Sequence, residues 1–318
     1  MNIICCPYNY FHQPLAGGEL YLTRLLNHLK KAHNIRIICG TKEPYIHNGI
    51  ECFSQGENVE MFIGNNEHFK WADVIITQLI GTAYGYNKMI QHKKPLIFIA
   101  HNNSKLYAVR HAQQHECHVV YNSYQLRDDL AKDFGHFNST VLHPLLPDVK
   151  KKSEGQYITL INCNHNKGGH IFAEIASRLP QFQFLGVFGG YGEQIEAHLP
   201  NVTYLPNGCD IEAVYKSTRV LLVPSEFESF SQCAIEAMQY GIPVIAHPCP
   251  GIKENLSEAG LFVDRNNIEK YCEVIVYLIN NSQAWQRQSE ASLERVRVVK
   301  EKSKLELDRF DQWISKIK

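Results

Sequence analysis

The sequence predicts an α/β fold made of two Rossmann-like domains. Short apolar runs alternate with amphipathic stretches, which is typical of buried parallel strands joined by helices. The alternation stops near Leu146 and then begins again, which indicates two units rather than one. The 318 residues, of which 44% are hydrophobic, are enough to build two compact cores.

The first domain is predicted over residues 1–148. Its strands are expected at the apolar runs 2–6, 35–39, 73–77, 95–100 and 118–121. Between the first two runs, Leu22, Leu25, Leu26 and Leu29 repeat at helical spacing and would lay one apolar stripe on the sheet. The chain therefore begins as a strand, a helix and a strand.

The second domain is predicted over residues 155–300, after a polar, charged linker at 147–155 that contains a proline and a glycine. Its strands are expected at the runs 157–161, 182–188, 219–223 and 242–246. The segment of about 301–318 is charged and helical in composition. Its side chains include Leu305, Leu307, Phe310 and Trp313, which are apolar enough to pack, so we expect that the segment can dock on the first domain.

Charge and cysteine content limit the partners and the compartment. The 32 basic and 32 acidic residues balance, so no overall field would attract the protein to nucleic acid. Ten cysteines without a C-x-x-C pair indicate small buried hydrophobes in a reducing compartment. The start of the chain is unlike a signal peptide and no apolar run is long enough to span a bilayer, so we expect a cytoplasmic protein. Peripheral membrane contact through Lys30 and Lys31 or the charged C-terminal segment stays open, and the oligomeric state is not indicated.

Three glycine-containing loops follow predicted strands. They carry the pair Gly17-Gly18, the pair Gly189-Gly190, and Lys167 within the polar stretch 162–169. Ligands bind beyond the carboxyl ends of the strands in open parallel sheets, glycines allow phosphates to approach backbone N–H groups, and a lysine can neutralise a diphosphate. Taken alone, each loop also fits a plain turn or a solvated lysine.

The most informative segment contains two glutamates, Glu228 and Glu236. A strand is predicted to end at Val223 and a helix to begin near Ser231, whose hydroxyl and following N–H groups could face an anion. Glu236 then falls in the second turn and tilts back toward Glu228. Carboxylates would repel phosphate but accept hydrogen bonds from neutral hydroxyls, so the pair predicts a nucleotide-sugar pocket. Two surface glutamates that favour the helix dipole are the plainer alternative.

Seven residues separate the two glutamates, and a strand-like run at 241–246 follows them. This block resembles the E-x7-E signature of retaining glycosyltransferases of family 4, which have the GT-B fold. The three glycine loops occur in the order usual for that family. The resemblance covers nearly the whole chain, and it implies two Rossmann-like domains that face each other across a cleft, with the acceptor on the first and the donor mostly on the second.

The resemblance also implies roles for individual residues. Glu228 would bind the hydroxyls of the donor sugar, Lys167 the diphosphate, and His101 would lie near the reacting sugar; these three are the expected catalytic residues. Glu236 would bind the ribose hydroxyls of a UDP- or GDP-linked donor. The other expected donor-binding residues are Gly17, Gly18, Asn162, Gly190, Asn207, Phe230, Ser231 and Gln232. No cofactor and no metal ion are implied.

Two features depart from the family pattern. Asn162 stands where the family commonly has an arginine, five positions before Lys167, so one diphosphate charge lacks its usual partner. Ser229 and Ser231 stand where glycines often flank the residue equivalent to Phe230. The identity of the donor sugar therefore does not carry over.

The implied reaction moves a hexose-type sugar to a hydroxyl of a glycan, a lipid-linked saccharide or a small molecule. The acceptor would attack the anomeric carbon on the face from which the nucleoside diphosphate leaves, with catalysis by positioning and charge stabilisation. A nucleotide-sugar epimerase of the same fold and a catalytically lapsed nucleotide-sugar-binding protein stay open as alternatives. A dinucleotide-dependent redox enzyme is disfavoured because no G-x-G-x-x-G follows the first strand.

A group of histidines, His111, His115 and His118, has a spacing that fits metal ligands on one helix face. No paired carboxylate lies nearby in the sequence, so an exposed helix is the better interpretation.

Overall fold

A computed structural model describes residues 1–8, 16–41, 43–54, 66–102, 117–149 and 152–317. Of these, the residues within Met1–Pro14, Gly18–Leu145 and Ser303–Lys318 form a first compact unit, and those within Leu15–Gly17 and Leu146–Lys302 form a second. Each unit is a mostly parallel sheet with helices, so the predicted fold class is confirmed.

The first unit contains an eight-stranded sheet with the order β3-β4-β2-β1-β5-β6-β7-β8. Its strands are β1 (Asn2–Tyr8), β2 (Asn34–Cys39), β3 (Tyr45–His47), β4 (Ile50–Ser54), β5 (Val74–Gln78), β6 (Leu96–Ala100), β7 (Cys117–Tyr121) and β8 (Asn138–Val141). All neighbouring strands are parallel except β3 and β4. Every residue of β5 and β6 is buried, as expected for central strands covered on both faces.

The helices of the first unit cover this sheet. They are α1 (Gly17–Leu29), α2 (Asn66–Trp71), α3 (Thr82–His92) and α4 (Tyr124–Phe134). The leucine stripe of α1 is confirmed, because Leu22, Leu25, Leu26 and Leu29 are each at most 1% exposed and belong to one core cluster. The glycine pair lies inside this helix as its first two residues, and does not form a turn before it as the sequence predicted.

The second unit contains a six-stranded parallel sheet with the order β11-β10-β9-β12-β13-β14. Its strands are β9 (Tyr157–Ile161), β10 (Phe184–Val187), β11 (Val202–Leu205), β12 (Thr218–Val223), β13 (Val244–Ala246) and β14 (Leu261–Phe262). Its helices are α5 (Gly169–Arg178), α6 (Ile211–Ser217), α7 (Gln232–Gln239), α8 (Pro250–Leu256) and α9 (Ile268–Asn280).

The last helix, α10 (Ser282–Ile314), contributes to both units, with its residues from Ser303 onward in the first. Phe310 and Ile314 are fully buried in the core of the first unit, and Leu307 and Trp313 pack against it. The expectation that Leu305 would pack was wrong, because 58% of this residue is exposed.

All ten cysteines are described, and all are free thiols. Most of them are buried, as expected for small apolar side chains. Within the described ranges, no helix combines the length and the apolar character that a membrane span requires.

Candidate active site

Predicted site residues follow the carboxyl ends of four adjacent strands in the second unit. Asn162 and Lys167 follow β9, Gly190 follows β10, Asn207 follows β11 and Glu228 follows β12. Because these strands are parallel and neighbours in the sheet, the four loops lie side by side along one edge.

Lys167 is positioned by a tightly wound loop between β9 and α5. The backbone N–H of Asn164 donates to Asn162 Oδ1 at 3.2 Å, and Asn164 Oδ1 accepts from the backbone N–H of Lys167 at 2.9 Å. Gly168 has a φ of +87°, and a Cβ there would lie 2.5 Å from Pro224 Cγ. A residue with a Cβ at this position would therefore be strained and would displace Pro224, so the position favours glycine.

Glu228 lies in the loop that joins β12 to α7, residues 224–231, which we call the carboxylate loop. Lys167 Nζ is 2.6 Å from Glu228 Oε1, and Ser225 Oγ donates to the same oxygen at 2.7 Å. The side chains of Lys167 and Glu228 are 30% and 10% exposed, so the pair is only partly open to solvent. The two loops are further joined by Glu226, whose N–H donates to the carbonyl of Asn166 at 2.8 Å.

The ammonium group of Lys167 stays charged at neutral pH. Burial lowers the pKa of Lys167, but the charge of Glu228 and the hydrogen bond with it act in the opposite direction and leave the pKa raised. The site thus holds a permanent cation beside a carboxylate.

Glu236 lies on α7 and is held by two neutral donors. The hydroxyl of Tyr215, on α6, donates to Glu236 Oε2 at 3.0 Å, and Gln232 Nε2 donates to Glu236 Oε1 at 3.3 Å. Tyr215 is 2% exposed and Glu236 is 8% exposed. The carboxylate is therefore fixed in direction while its charge is not cancelled by these two partners.

Cys233, in the first turn of α7, has a thiol whose pKa responds to these charged groups. Burial is the main cause that raises the pKa of Cys233 to about 12; the charges of Glu228 and Glu236 raise it further, while Lys167 lowers it. The half-buried thiol of Cys233 thus responds to both glutamates and the lysine. Glu228 pairs with Lys167, and Glu236 lies on the helix that begins directly after the carboxylate loop, so the structure places the three residues in the same part of the second unit.

Ser231 and Phe230 end the carboxylate loop. Ser231 is the N-cap residue of α7 with a φ of +67°, and its side chain does not cap the helix but lies 3.6 Å from Cys233 Sγ. Phe230 is 2% exposed, so its ring belongs to the core. A ligand could therefore meet this end of α7 through the backbone, because the first N–H groups of a helix have no acceptor within the helix.

Asn162, Gly190 and Asn207 lie on the same sheet edge through their strand positions. Asn162 has a φ of +73°, and its side chain packs on the loop after β10, where a Cβ at Gly189 would lie 2.4 Å from Asn162 Cγ. Gly190 and Asn207 are both half-buried.

In the first unit, His101 follows β6. Its Nε2 atom is 2.7 Å from Gln78 Oε1, and its ring packs edge-on against Tyr21 with centroids 5.2 Å apart. A Cβ at Gly18 would lie 3.4 Å from His101 Cδ2, so these two predicted residues are neighbours. Burial lowers the pKa of His101 to about 4, which keeps the imidazole neutral at physiological pH.

Three residues with contacts in the site were not singled out from the sequence. Ser225 lies three positions before Glu228, and a hydroxyl so close to a carboxylate is a weak local signal. Tyr215 and Asn255 contact α7 and the carboxylate loop from other helices. No pattern near them in the sequence points to these contacts.

The predicted histidine group is described only in part. His111 and His115 lie outside the described residues, whereas His118 lies in β7 and packs edge-on against Trp313 with centroids 5.8 Å apart. In the part of the chain that the structure describes, no three side chains of histidine, cysteine, aspartate or glutamate come together as metal ligands would.

The second unit of the chain matches a known protein family. Residues 157–281, which include both glutamates, match the family model of the glycosyl transferases group 1. The whole chain resembles the structure of a sucrose-phosphate synthase from Thermosynechococcus elongatus, with a TM-score of 0.78, 17% identity and 98% of each chain covered. The chain has the GT-B fold. A second GT-B neighbour is HepE from Anabaena, solved in complex with UDP-glucose, with a TM-score of 0.77, 17% identity, and 97% of this chain and 100% of that chain covered.

Sequence similarity to one glycosyltransferase relative is local. An uncharacterized glycosyltransferase of Haemophilus influenzae is 33% identical over 95 residues, which are 29% of this chain and 27% of the relative. The chain thus spans about a quarter of the length of that relative. The family match and the fold agree with the glycosyltransferase class that the resemblance of the E-x7-E block implies.

Proposed function

We propose that this GT-B protein is a retaining glycosyltransferase of family 4 that transfers a hexose-type sugar from a UDP- or GDP-linked donor to a hydroxyl acceptor. The acceptor would be a glycan, a lipid-linked saccharide or a small molecule. The observation that carries the proposal is the hydrogen-bonded group formed by Lys167, Ser225 and Glu228, with Glu236 on the helix that begins directly after the carboxylate loop. The UDP-glucose held by the Anabaena neighbour supports a nucleotide-sugar donor.

The Lys167–Glu228 pair suits the two ends of such a donor. The lysine is a compact cation that can neutralise a diphosphate, and the carboxylate can accept hydrogen bonds from sugar hydroxyls. Donor binding would move the ammonium from Glu228 to the diphosphate and leave Glu228 to the sugar. Glu236, held by Tyr215 and Gln232, would accept from the ribose hydroxyls.

The departing diphosphate would be stabilised by Lys167 and by the N-terminal amides of α7. The partial positive charge of a helix N-terminus favours an anion, and the side chain of Ser231 does not cap this helix. The acceptor hydroxyl would attack from the side on which the diphosphate leaves, and an oxygen of the diphosphate would take its proton. His101 would act as a neutral hydrogen-bonding group near the reacting sugar, since its pKa is about 4.

We place this reaction in the cytoplasm. Ten free thiols suit a reducing compartment.

The test has two steps. A thermal-shift screen with UDP-, GDP-, ADP- and CMP-sugars identifies the donor, because a bound ligand stabilises the folded state by mass action. Transfer with that donor is then compared for the wild type and Lys167→Ala. We expect kcat to fall by about 10²–10³, as for the loss of one group that stabilises a developing anion.

Lys270→Ala is the matched control, because Lys270 forms an exposed pair with Glu273 at 2.7 Å on α9. Near-normal transfer by Lys167→Ala would contradict the proposal. Consumption of donor without any acceptor would favour the epimerase, and tight binding without turnover over a panel of acceptors would favour the lapsed protein.

A further inference from the structure

Asn255 is a fully buried amide on α8 that points at the carboxylate loop. Its Nδ2 group donates to the carbonyl oxygens of Phe230, at 2.5 Å, and Ser231, at 2.8 Å. The orientation of the amide follows from these bonds, because a flipped amide would place its oxygen against two carbonyl oxygens. Asn255 Oδ1 is buried as well and has no hydrogen-bond partner in the described part of the chain.

A buried acceptor without a partner destabilises the folded protein, so packing alone does not explain why an amide occupies this position. An apolar side chain would fill the same position without that cost. We therefore attribute the asparagine at this position to its two hydrogen bonds with the carboxylate loop.

The segment that Asn255 holds is strained. Ser231 has a φ of +67°, in the left-handed region that residues with a Cβ seldom adopt. Its own side chain does not cap α7, so the turn is not stabilised from within by a cap. Its support comes from the neighbouring helix.

Helix α8 is packed closely enough to serve as that support. A Cβ at Gly251 would lie 2.3 Å from the carbonyl oxygen of Glu228 and 2.4 Å from that of Ser229, so α8 touches the loop backbone directly. Arg295 Nε, on α10, donates to the carbonyl oxygen of Asn255 at 2.6 Å and anchors the C-terminal end of α8.

We propose that Asn255 is a positioning residue for donor binding. By holding the carbonyl groups of Phe230 and Ser231, it keeps Ser231 in the left-handed turn that aims the first N–H groups of α7 at the donor. This inference rests on the proposed function, since the donor is the ligand that those N–H groups would meet.

A double-mutant cycle tests the inference. We expect Asn255→Ala to weaken donor binding by about 5- to 30-fold, which corresponds to the usual preference of a residue with a Cβ against the left-handed region. Ser231→Gly in the same protein should restore most of the affinity, because glycine adopts a positive φ without strain. A merely structural role of Asn255 would not be rescued at position 231.

Asn201→Ala is the matched control. Asn201 is also a buried asparagine of the second unit, and its Nδ2 group donates to three carbonyl oxygens, those of Ala176, Leu179 and Phe182. We expect this variant to lose stability without a change of donor affinity. Asn255→Asp keeps the side-chain volume but removes the donating NH2 group, and it replaces Asn255→Ala if that variant does not fold.

Hydrogen exchange without any ligand separates this inference from the proposed function. We expect the amides of residues 230–233 to exchange faster in the Asn255 variant and to be protected again with Ser231→Gly. If these amides exchange at the same rate in the Asn255 variant as in the wild type, the positioning role is overturned. The same follows if the wild type binds a donor and the variant binds it with equal affinity. If no nucleotide sugar binds even the wild type, the proposed function fails, and the exchange rates still decide the role of Asn255.

Discussion

At the scale of single residues, the two glutamates of the site are oriented by different partners. Glu228 accepts from one neutral donor, Ser225, and from the cation Lys167, whereas Glu236 accepts from the neutral donors Tyr215 and Gln232. An ionised carboxylate has about four acceptor sites on its two oxygens, so two hydrogen bonds alone do not saturate it. Neutral donors fix the direction of a carboxylate and preserve its charge.

Tyr215→Phe tests this arrangement at Glu236. The variant removes the bond of 3.0 Å to Glu236 Oε2 and keeps the ring, which stacks on Tyr240. We expect KM for the donor to rise about tenfold with a smaller effect on kcat, because a hydrogen bond to a charged group contributes about 1.5–3 kcal/mol. Steady-state kinetics at varied donor concentration measure both the KM for the donor and kcat.

Tyr271→Phe is the control for Tyr215→Phe. Tyr271 is also a buried tyrosine of the second unit, and its hydroxyl donates to the carbonyl oxygen of Val263 at 3.2 Å. An equal rise of KM in both variants would contradict a specific role of Tyr215.

The sequence predicted the two glutamates but not what holds them. Their spacing is a local pattern, and a helix beginning near Ser231 places Glu236 from that pattern alone. Tyr215 precedes Glu236 by 21 residues and lies on another helix, so only the packing of α6 against α7 brings them together. The roles inferred for the site residues stay predictions.

At the scale of elements, most of the strands that the sequence did not predict lie at the edges of the two sheets. β3 and β8 are the outer strands of the first sheet, and β11 and β14 are those of the second. Only β4, the neighbour of β3, was also missed. These edge strands are two to four residues long and carry polar or half-exposed side chains, as in the sequence NSTV of β8. Hydrophobic runs identify central strands, which are buried on both faces, and fail at edges.

The end of α10 shows that hydrophobicity alone also fails to identify the buried face of a helix. The residues that it buries recur every three or four positions and include Glu306, Phe310 and Ile314, but not Leu305. Glu306 is buried because its carboxylate accepts from the backbone N–H of His143 at 3.0 Å and is 2.8 Å from His143 Nδ1. Composition alone favoured the leucine, whereas the buried face carries Phe310 and Ile314 in the core together with Glu306, which His143 partners.

Glu306→Ala tests the contribution of this pair. His143 and Glu306 have side chains that are 4% and 2% exposed, so the variant leaves buried donors of His143 without their acceptor. We expect the free energy of unfolding of the first unit to fall by about 3 kcal/mol, measured by urea denaturation. Glu67→Ala, which removes a 77%-exposed carboxylate paired with Lys70 on α2 of the same unit, should change it by less than about 0.5 kcal/mol. Equal effects would show that the buried pair contributes nothing specific.

At the scale of the whole molecule, the chain has separate hydrophobic clusters in its two units. The clusters of the first unit are built on β1 to β8, and those of the second on β9 to β14. The three tryptophans report on these units separately, since Trp71 and Trp313 belong to the first and Trp285 to the second. Trp285 is 8% exposed, and its Nε1 atom donates to the carbonyl oxygen of Arg219 at 2.9 Å.

We expect donor binding to stabilise the second unit. In a protein with Trp71→Phe and Trp313→Phe, the unfolding signal comes from Trp285, and donor at about 100 times its Kd should stabilise this transition by about 2.7 kcal/mol. In Trp285→Phe, fluorescence reports the first unit, and the same donor concentration should stabilise that unfolding transition by less. Fluorescence-monitored denaturation with and without donor measures both; a larger shift in the first unit would contradict donor binding by the second.

The sequence by itself determined the α/β class, the central strands of both sheets and the positions of Lys167, Glu228 and Glu236, because these follow from periodicity and from spacing along a few turns of chain. Only the tertiary structure decided that Tyr215 orients one carboxylate, that Asn255 holds the strained turn at Ser231, and that Glu306 is buried in place of Leu305. Each of these depends on a hydrogen bond between residues far apart in the chain. Such a bond forms only when packing brings the two elements together, and no local pattern encodes it.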